Sequence, residues 1–397
     1  MRDKINLEKE YGIVLEGGGA KGAYQIGVWK ALKEYGVKIK GIAGVSVGAL
    51  NGVLMCMDDV EHAEEIWNNI SYSSVMDVND EDMGNILRLN LKELNLKNIT
   101  STGVKVVASG GFDITPLRNL LQEHVDEEKV RNSDIELYMG TLNFSDRKGM
   151  EIDAKTLRPG EICDYLIASA SLPLFKQEKL QGKTYLDGGL VNNVPTDMLI
   201  KRGYKDIIVI RIYGIGVERK VKIPEDVTVI EIAPRVELGS ILEFEGKKTQ
   251  RNIKIGYYDG MRALRNLQGK IYYLDEIASE EEHFLKFYHL NSAAQMALME
   301  YFKEDYDKRQ LYPRKMFEKV LPQIAEKLGL SKDWTYTELY ICMLELAAKR
   351  MRVQKYHIYT ENEFHTEIKN NYAKNGMPEE KIDMFTQLII KAMVIGD

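Results

Sequence analysis

The chain has 397 residues, is 44% hydrophobic and carries a net charge of −6. That suits a large α/β domain with a smaller second region, and it argues against a nucleic-acid binder, whose surface would hold a basic surplus. The opening residues, MRDKINLEKE, contain no apolar run of the secretory type, and no window approaches the ~18 consecutive apolar residues of a membrane span.

In chain order, YGIVL from Tyr11 predicts a strand, AYQIGVWKALKEYG a helix closed by Gly36, and VKIKGIAGVS a second strand. Helical periodicity returns in VGALNGVLMCM and VEHAEEIWNNI. Residues 71–109 are polar and mixed, an expected helical insertion or lid. ITPLRNLLQEHV reads as a helix with Pro116 in its first turn, where a missing N–H costs nothing. IELYMGTLNF and GMEIDA form a predicted hairpin, and GEICDYLIASASL a helix stopped by Pro173. The extended KTYLD, the helix PTDMLIKRG and the apolar strands DIIVIRIY and VTVIEIAP follow. Strands alternating with helices predict a three-layer α/β/α sheet over 11–234. From 235 to 397 the texture becomes a mainly α-helical appendage. It includes YYDGMRALRNLQG, with Met261, Leu264 and Leu267 on one side, and a long helix from Thr337 to Tyr359. On that helix Leu339, Cys342, Met343, Leu346 and Ala347 share a face. Three cysteines, Cys56, Cys163 and Cys342, sit in apolar sequence without metal-type spacing, which predicts reduced thiols in the cytoplasm.

Three glycine-bracketed motifs carry the chemistry. After the first strand, GGGAKG supplies Gly17, Gly18, Gly19, Lys21 and Gly22. It fits the dinucleotide pattern G-x-G-x-x-G, but the second strand ends without the carboxylate that a ribose needs. The phosphate-loop reading lacks Gly-Lys-Ser/Thr. The second strand ends instead in GVSVG, with Gly44 and Gly48 about Ser46, between an apolar strand and an apolar helix. That is the setting of a nucleophile elbow. With adjacent parallel strands, the bare amides of Gly17, Gly18 and Gly19 would face an oxyanion that exists only during acyl transfer.

A serine needs a base. None of the six histidines, His62, His124, His283, His289, His357 and His365, lies in a glycine-flanked loop; His62 and His124 are expected on polar helix faces, the others in the appendage. Asp187, followed by Gly188 and Gly189, ends a strand at the sheet edge and is the better candidate. With an ordinary pKa of about 3.9 it would need burial or a tuned hydrogen bond.

Together these motifs, with ASASLPLF from Ala168 to Phe175, resemble the patatin-like phospholipase family across roughly Tyr11 to Pro234. The chain departs from it in having Glu16 where the family often has Asp, which is expected to affect loop packing. The resemblance implies a Ser46–Asp187 dyad and an oxyanion loop at Gly17–Gly19. It also implies metal-free and cofactor-free hydrolysis of lipid acyl esters of the phospholipase A or lysophospholipase type. Alternatives are a thioesterase or small-ester carboxylesterase with the same dyad, or, from another class, a nucleotide-binding regulatory protein using the glycine loop. Lys21 would either meet a lipid phosphate or orient the loop. The expected partner is a lipid substrate, at a membrane surface in one version, with no nucleic acid and no transmembrane segment; headgroup, acyl length and oligomeric state stay open.

Overall fold

The structure is a computed structural model and describes residues 5–83, 110–304, 312–377 and 382–395. It divides into two compact units, Met1–Leu264 and Arg265–Asp397. The expected insertion at 71–109 is described only to residue 83, where it includes a short helix, Tyr72–Val75; the rest lies outside the described residues.

The first unit is a sheet flanked by helices. Its strands are β1 (Glu10–Leu15), β2 (Lys38–Val45), β3 (Glu136–Asn143), β4 (Lys148–Asp153), β5 (Lys179–Leu180), β6 (Lys183–Asp187), β7 (Asp206–Ile210) and β8 (Thr228–Ile232). Hydrogen bonding joins them in the order β5-β6-β3-β2-β1-β7-β8, with β4 beside β3. β3, β2, β1, β7 and β8 run parallel; β4, β5 and β6 are antiparallel additions. Alternation along each strand feeds both faces, as a sheet buried on two sides requires. Val14, Ala43, Ile207 and Val209 pack with Met198 and Leu199 on one face. Leu15, Ile42 and Leu137 turn to the other, where they lie against Gly52 of α2 (Val47–Cys56), which follows α1 (Ala23–Glu34).

One detail of the register positions the site. Tyr138–Gly140 of β3 pair with β2 on one flank and β4 on the other. Thr141–Asn143 pair with β4 and with β6, so β6 continues the flank that β2 has vacated. β2 is parallel to β3 and β6 antiparallel, so the two strands approach end to end. Val45 lies opposite Gly140 and Asp187 opposite Thr141.

The first unit runs on past residue 234, through a helix at Gly246–Arg265, to Leu264. Met261 is buried there, but so is the ion pair of Asp259 with Arg262 at 2.6 Å, which apolar periodicity does not foresee. The second unit packs its helices about a core that includes Phe287, Leu339, Met343, Leu344, Phe364 and Ile389. It also contains a small parallel ladder, β9 (Tyr273–Asp275) with β10 (Ile358–Thr360). The helix expected over 337–359 ends at Arg350, because Arg352 takes a left-handed conformation with φ 55° and the chain re-enters as β10. Among the described residues no helix is long and apolar enough to cross a membrane.

Candidate active site

The sharp turn from β2 into α2 is dictated by its glycines. A Cβ on Gly44 would lie 2.4 Å from the Gly48 carbonyl carbon, and one on Gly48 would lie 2.2 Å from Leu15 O. Only bare backbone allows the helix to start so close to the sheet. Ser46, between them, is forced to φ 55°, ψ −129°, a conformation L-residues rarely adopt and one that persists only where the surroundings over-determine it. The surroundings are visible. Ser46 N–H donates to Ser169 Oγ at 3.0 Å, and Ser169 Oγ–H donates to Gly140 O at 2.7 Å.

Asp187 arrives from the opposite direction on β6. Its N–H donates to Ser171 O at 2.8 Å, and its Oδ1 accepts the Gly189 N–H at 2.7 Å. Thr141 Oγ1 contacts both Ala168 O at 2.9 Å and Leu186 O at 3.1 Å. The segment Ala168–Ser171 is therefore a bracket that receives the serine through one residue and the aspartate through another. Gly188 packs against β3, where a Cβ would meet Gly140 O at 2.2 Å.

Burial pushes the Asp187 carboxyl up to about 6, against the lowering effects of the Ser46 hydroxyl and the Gly189 N–H. Its Oδ2 is buried without a hydrogen-bond partner of full geometry. The Ser46 hydroxyl is near enough to lower this carboxyl, but no hydrogen bond is closed to Oδ2. Each cysteine is a free thiol, and burial pushes Cys56 up to about 12 and Cys163 to about 11, so neither offers a thiolate at neutral pH.

The glycine loop separates into two roles. Gly17 N–H donates to Asn193 O at 3.3 Å, and Gly17 O accepts from Asn193 Nδ2 at 3.0 Å, so this residue is bound to the scaffold. Among the described residues the N–H groups of Gly18 and Gly19 have no acceptor. Gly19 sits at φ 55°, and a Cβ there would meet Ile241 O at 2.1 Å. Glu16, which the sequence marks only as a packing residue, is the anchor beneath. Its buried carboxylate accepts from the N–H groups of Ile212 (2.7 Å), Tyr213 (3.0 Å) and Gly214 (3.1 Å), and from Arg211 Nε at 3.0 Å. Lys21 Nζ donates to Tyr213 O at 2.6 Å, and burial lowers its pKa; it orients the loop. Gly22 O is held by Asn51 Nδ2 at 2.9 Å, in a buried chain that includes Gln25 and Trp67. Asn193, Thr141 and Asn51 carry no mark in the sequence beyond the Asn-Asn pair that follows D-G-G-L-V, and Ser169 is marked only as part of ASASLPLF.

From Ser46 and Gly19 a channel of about 790 Å³, counting its open mouth, leads between α2, α3 (Val60–Asn69) and the helix Thr115–His124. Its wall is made by residues such as Leu54, Trp67, Leu121, Leu172 and Phe244. His124, expected on a polar face, also lines this channel, its ring 5.0 Å from that of His62.

Strand order and the strand–turn–helix at Ser46 define a mixed sheet of α/β architecture. Residues 13–200 match the family model for patatin-like phospholipase, and the first unit contains a domain of that family. Lysophospholipase NTE1 of Cryptococcus neoformans is 26% identical over 203 residues, 51% of this chain and 11% of that protein. Neuropathy target esterase sws of Drosophila melanogaster is 28% identical over 205 residues, 50% of this chain and 12% of that protein. The chain spans only a small part of either relative's length. VipD of Legionella pneumophila, a solved structure, is 14% identical with a TM-score of 0.40, covering 97% of this chain and 85% of that one.

Proposed function

We propose that the domain is a serine acyl hydrolase that cleaves lipid acyl esters of the phospholipase A or lysophospholipase type, through a Ser46–Asp187 dyad and an acyl-enzyme. The observation that carries this reading is a strained serine beside a buried, proton-hungry carboxylate at the head of an apolar channel. Asp187 takes the Ser46 proton as Oγ attacks the ester carbonyl. The tetrahedral oxyanion is held by the N–H groups of Gly18 and Gly19, whose removal one at a time would cost about 2.7–4 kcal/mol. Collapse expels the alcohol, which leaves with the proton held by Asp187. Water, deprotonated by the same carboxylate, then attacks the acyl-serine and releases the fatty acid. A carboxylate with a pKa of about 6 is far better matched to this task than one near 4. The apolar channel supports an acyl chain as the group transferred.

The test is a panel of phospholipids, lysophospholipids, acyl-CoA and p-nitrophenyl esters of increasing chain length. A long-chain oxygen-ester preference is expected; preference for acyl-CoA would instead assign a thioesterase. Leu121→Trp, which fills the channel, should cut kcat/KM for p-nitrophenyl palmitate at least about tenfold while affecting the butyrate less. Equal effects on both would detach the channel from acyl binding.

Ser169→Ala tests the bracket. It leaves the Ser46 N–H without its acceptor. The expected result is a kcat lower by about 10- to 100-fold, with KM little changed and slower labelling of Ser46 by a fluorophosphonate. A loss of thermal stability with normal kcat would make Ser169 a packing residue only.

A further inference from the structure

The loop after β7 is fastened to both halves of the site. Gly214 lies so close to the glycine loop that a Cβ on it would come within 1.8 Å of Gly17 O. Val217 N–H donates to Gly189 O at 2.8 Å, and Asn193 N–H donates to Val217 O at 2.6 Å. With its backbone turned inward, this loop sends its side chains to solvent. Ile215 is 79% exposed, Tyr213 53% and Val217 48%, and Leu190, beside Gly189, is 43% exposed. Apolar side chains gathered on one rim in this way mark an interaction site more often than chance exposure.

Basic residues follow at once. Arg219, Lys220 and Lys222 are exposed, and among the described residues none of them forms an ion pair. The neighbouring carboxylates do little to neutralise them: Glu218 is held by Arg211 at 2.8 Å and Asp226 pairs with Lys205, leaving Glu225. In a chain of net charge −6, three unpaired cations beside a bare apolar row are a local reversal. That combination matches an anionic lipid layer, with apolar groups for the acyl boundary and cations for the phosphates. The glycine loop is a shared wall: Gly17 and Gly18 touch Gly214, and Gly19 lines the channel.

We propose that the segment from Tyr213 to Lys222, with Leu190, docks this domain on an anionic lipid surface and brings the Ser46 site to the layer that supplies its substrate. This rests on the lipid-ester reading above. Ile215, Tyr213 and Val217 enter the headgroup–acyl boundary, while Arg219, Lys220 and Lys222 meet lipid phosphates.

The test is co-sedimentation of the full chain, carrying Ser46→Ala so that no product forms, with vesicles of phosphatidylcholine alone or mixed with phosphatidylglycerol. Binding to the mixed vesicles, weakened by added salt, is expected. Ile215→Ser should weaken it roughly tenfold, and Lys220→Gln with Lys222→Gln about fivefold per charge. In the otherwise wild-type chain these variants should hydrolyse soluble p-nitrophenyl butyrate normally, since none of the three side chains belongs to the dyad, the glycine loop or the channel. Failure of wild type to bind mixed vesicles, or unchanged binding by both variants, would overturn the proposal. So would equal binding to neutral vesicles, or a dimer broken by Ile215→Ser without any lipid binding, which would assign the patch to a second copy. Retained ester turnover in Ser46→Ala would instead refute the dyad and leave the docking result standing.

Discussion

Ser46→Ala is expected to lower ester hydrolysis by about a millionfold, to assay background, because the nucleophile and its base act as one unit. The fold should survive. Ser46 is held through its backbone, N–H to Ser169 Oγ and carbonyl to the Ala49 N–H at 2.9 Å, and neither contact needs the hydroxyl. Fluorophosphonate labelling should vanish with turnover. A variant that hydrolyses p-nitrophenyl esters at near wild-type rates would transfer the nucleophile's role to another residue.

Asp187→Asn should have the second largest effect and a more informative pattern. Loss of the base is expected to cost about 10²–10⁴-fold in kcat. The wild-type kcat/KM should rise with pH through about 6 and level off above it, as the free carboxyl loses its proton; the residual activity of the variant should lack that step. Stability should move the other way. Folding raises this carboxyl from 3.8 to about 6, so the native state binds its proton more tightly than the unfolded chain does. The stability this group contributes is fully present below pH 3.8 and is lost as pH rises through about 6. At pH 7.5 the protein therefore holds a buried charge that disfavours the fold by on the order of 2–3 kcal/mol. Asparagine removes that charge and still accepts the Gly189 N–H through its amide oxygen. Its melting temperature should exceed wild type by roughly 5 °C at pH 7.5, with the difference gone near pH 4. An inactive variant no more stable than wild type at pH 7.5 would deny that the carboxylate is strained.

The parts of the site that could be read from sequence are those whose constraint is local. Gly44 is demanded by a clash within a five-residue turn and Gly189 by the turn after β6, while Gly48 and Gly188 answer to Leu15 O and Gly140 O on neighbouring strands but share the same short, dense pattern. The parts that could not be read depend on partners far along the chain. Ser169 is separated by 123 residues from the N–H it accepts, and Glu16 by nearly two hundred from the amides it gathers. A single serine or glutamate carries no mark of such a partner. The strands of the first unit were legible for a related reason, since apolar runs such as DIIVI announce burial on both faces. The end of the long helix in the second unit was not, because one left-handed residue, Arg352, stops a periodicity that the side chains would have continued.

The end-to-end meeting of β2 and β6 along β3 has a consequence for how the enzyme comes into being. As the polypeptide emerges from the ribosome, the alcohol is made well over a hundred residues before the acid. On the proposed dyad, Ser46 has no proton acceptor until Asp187 has been synthesised and β6 has annealed onto Thr141–Asn143. On that reading the nascent chain stays inactive at least until this antiparallel strand is laid down.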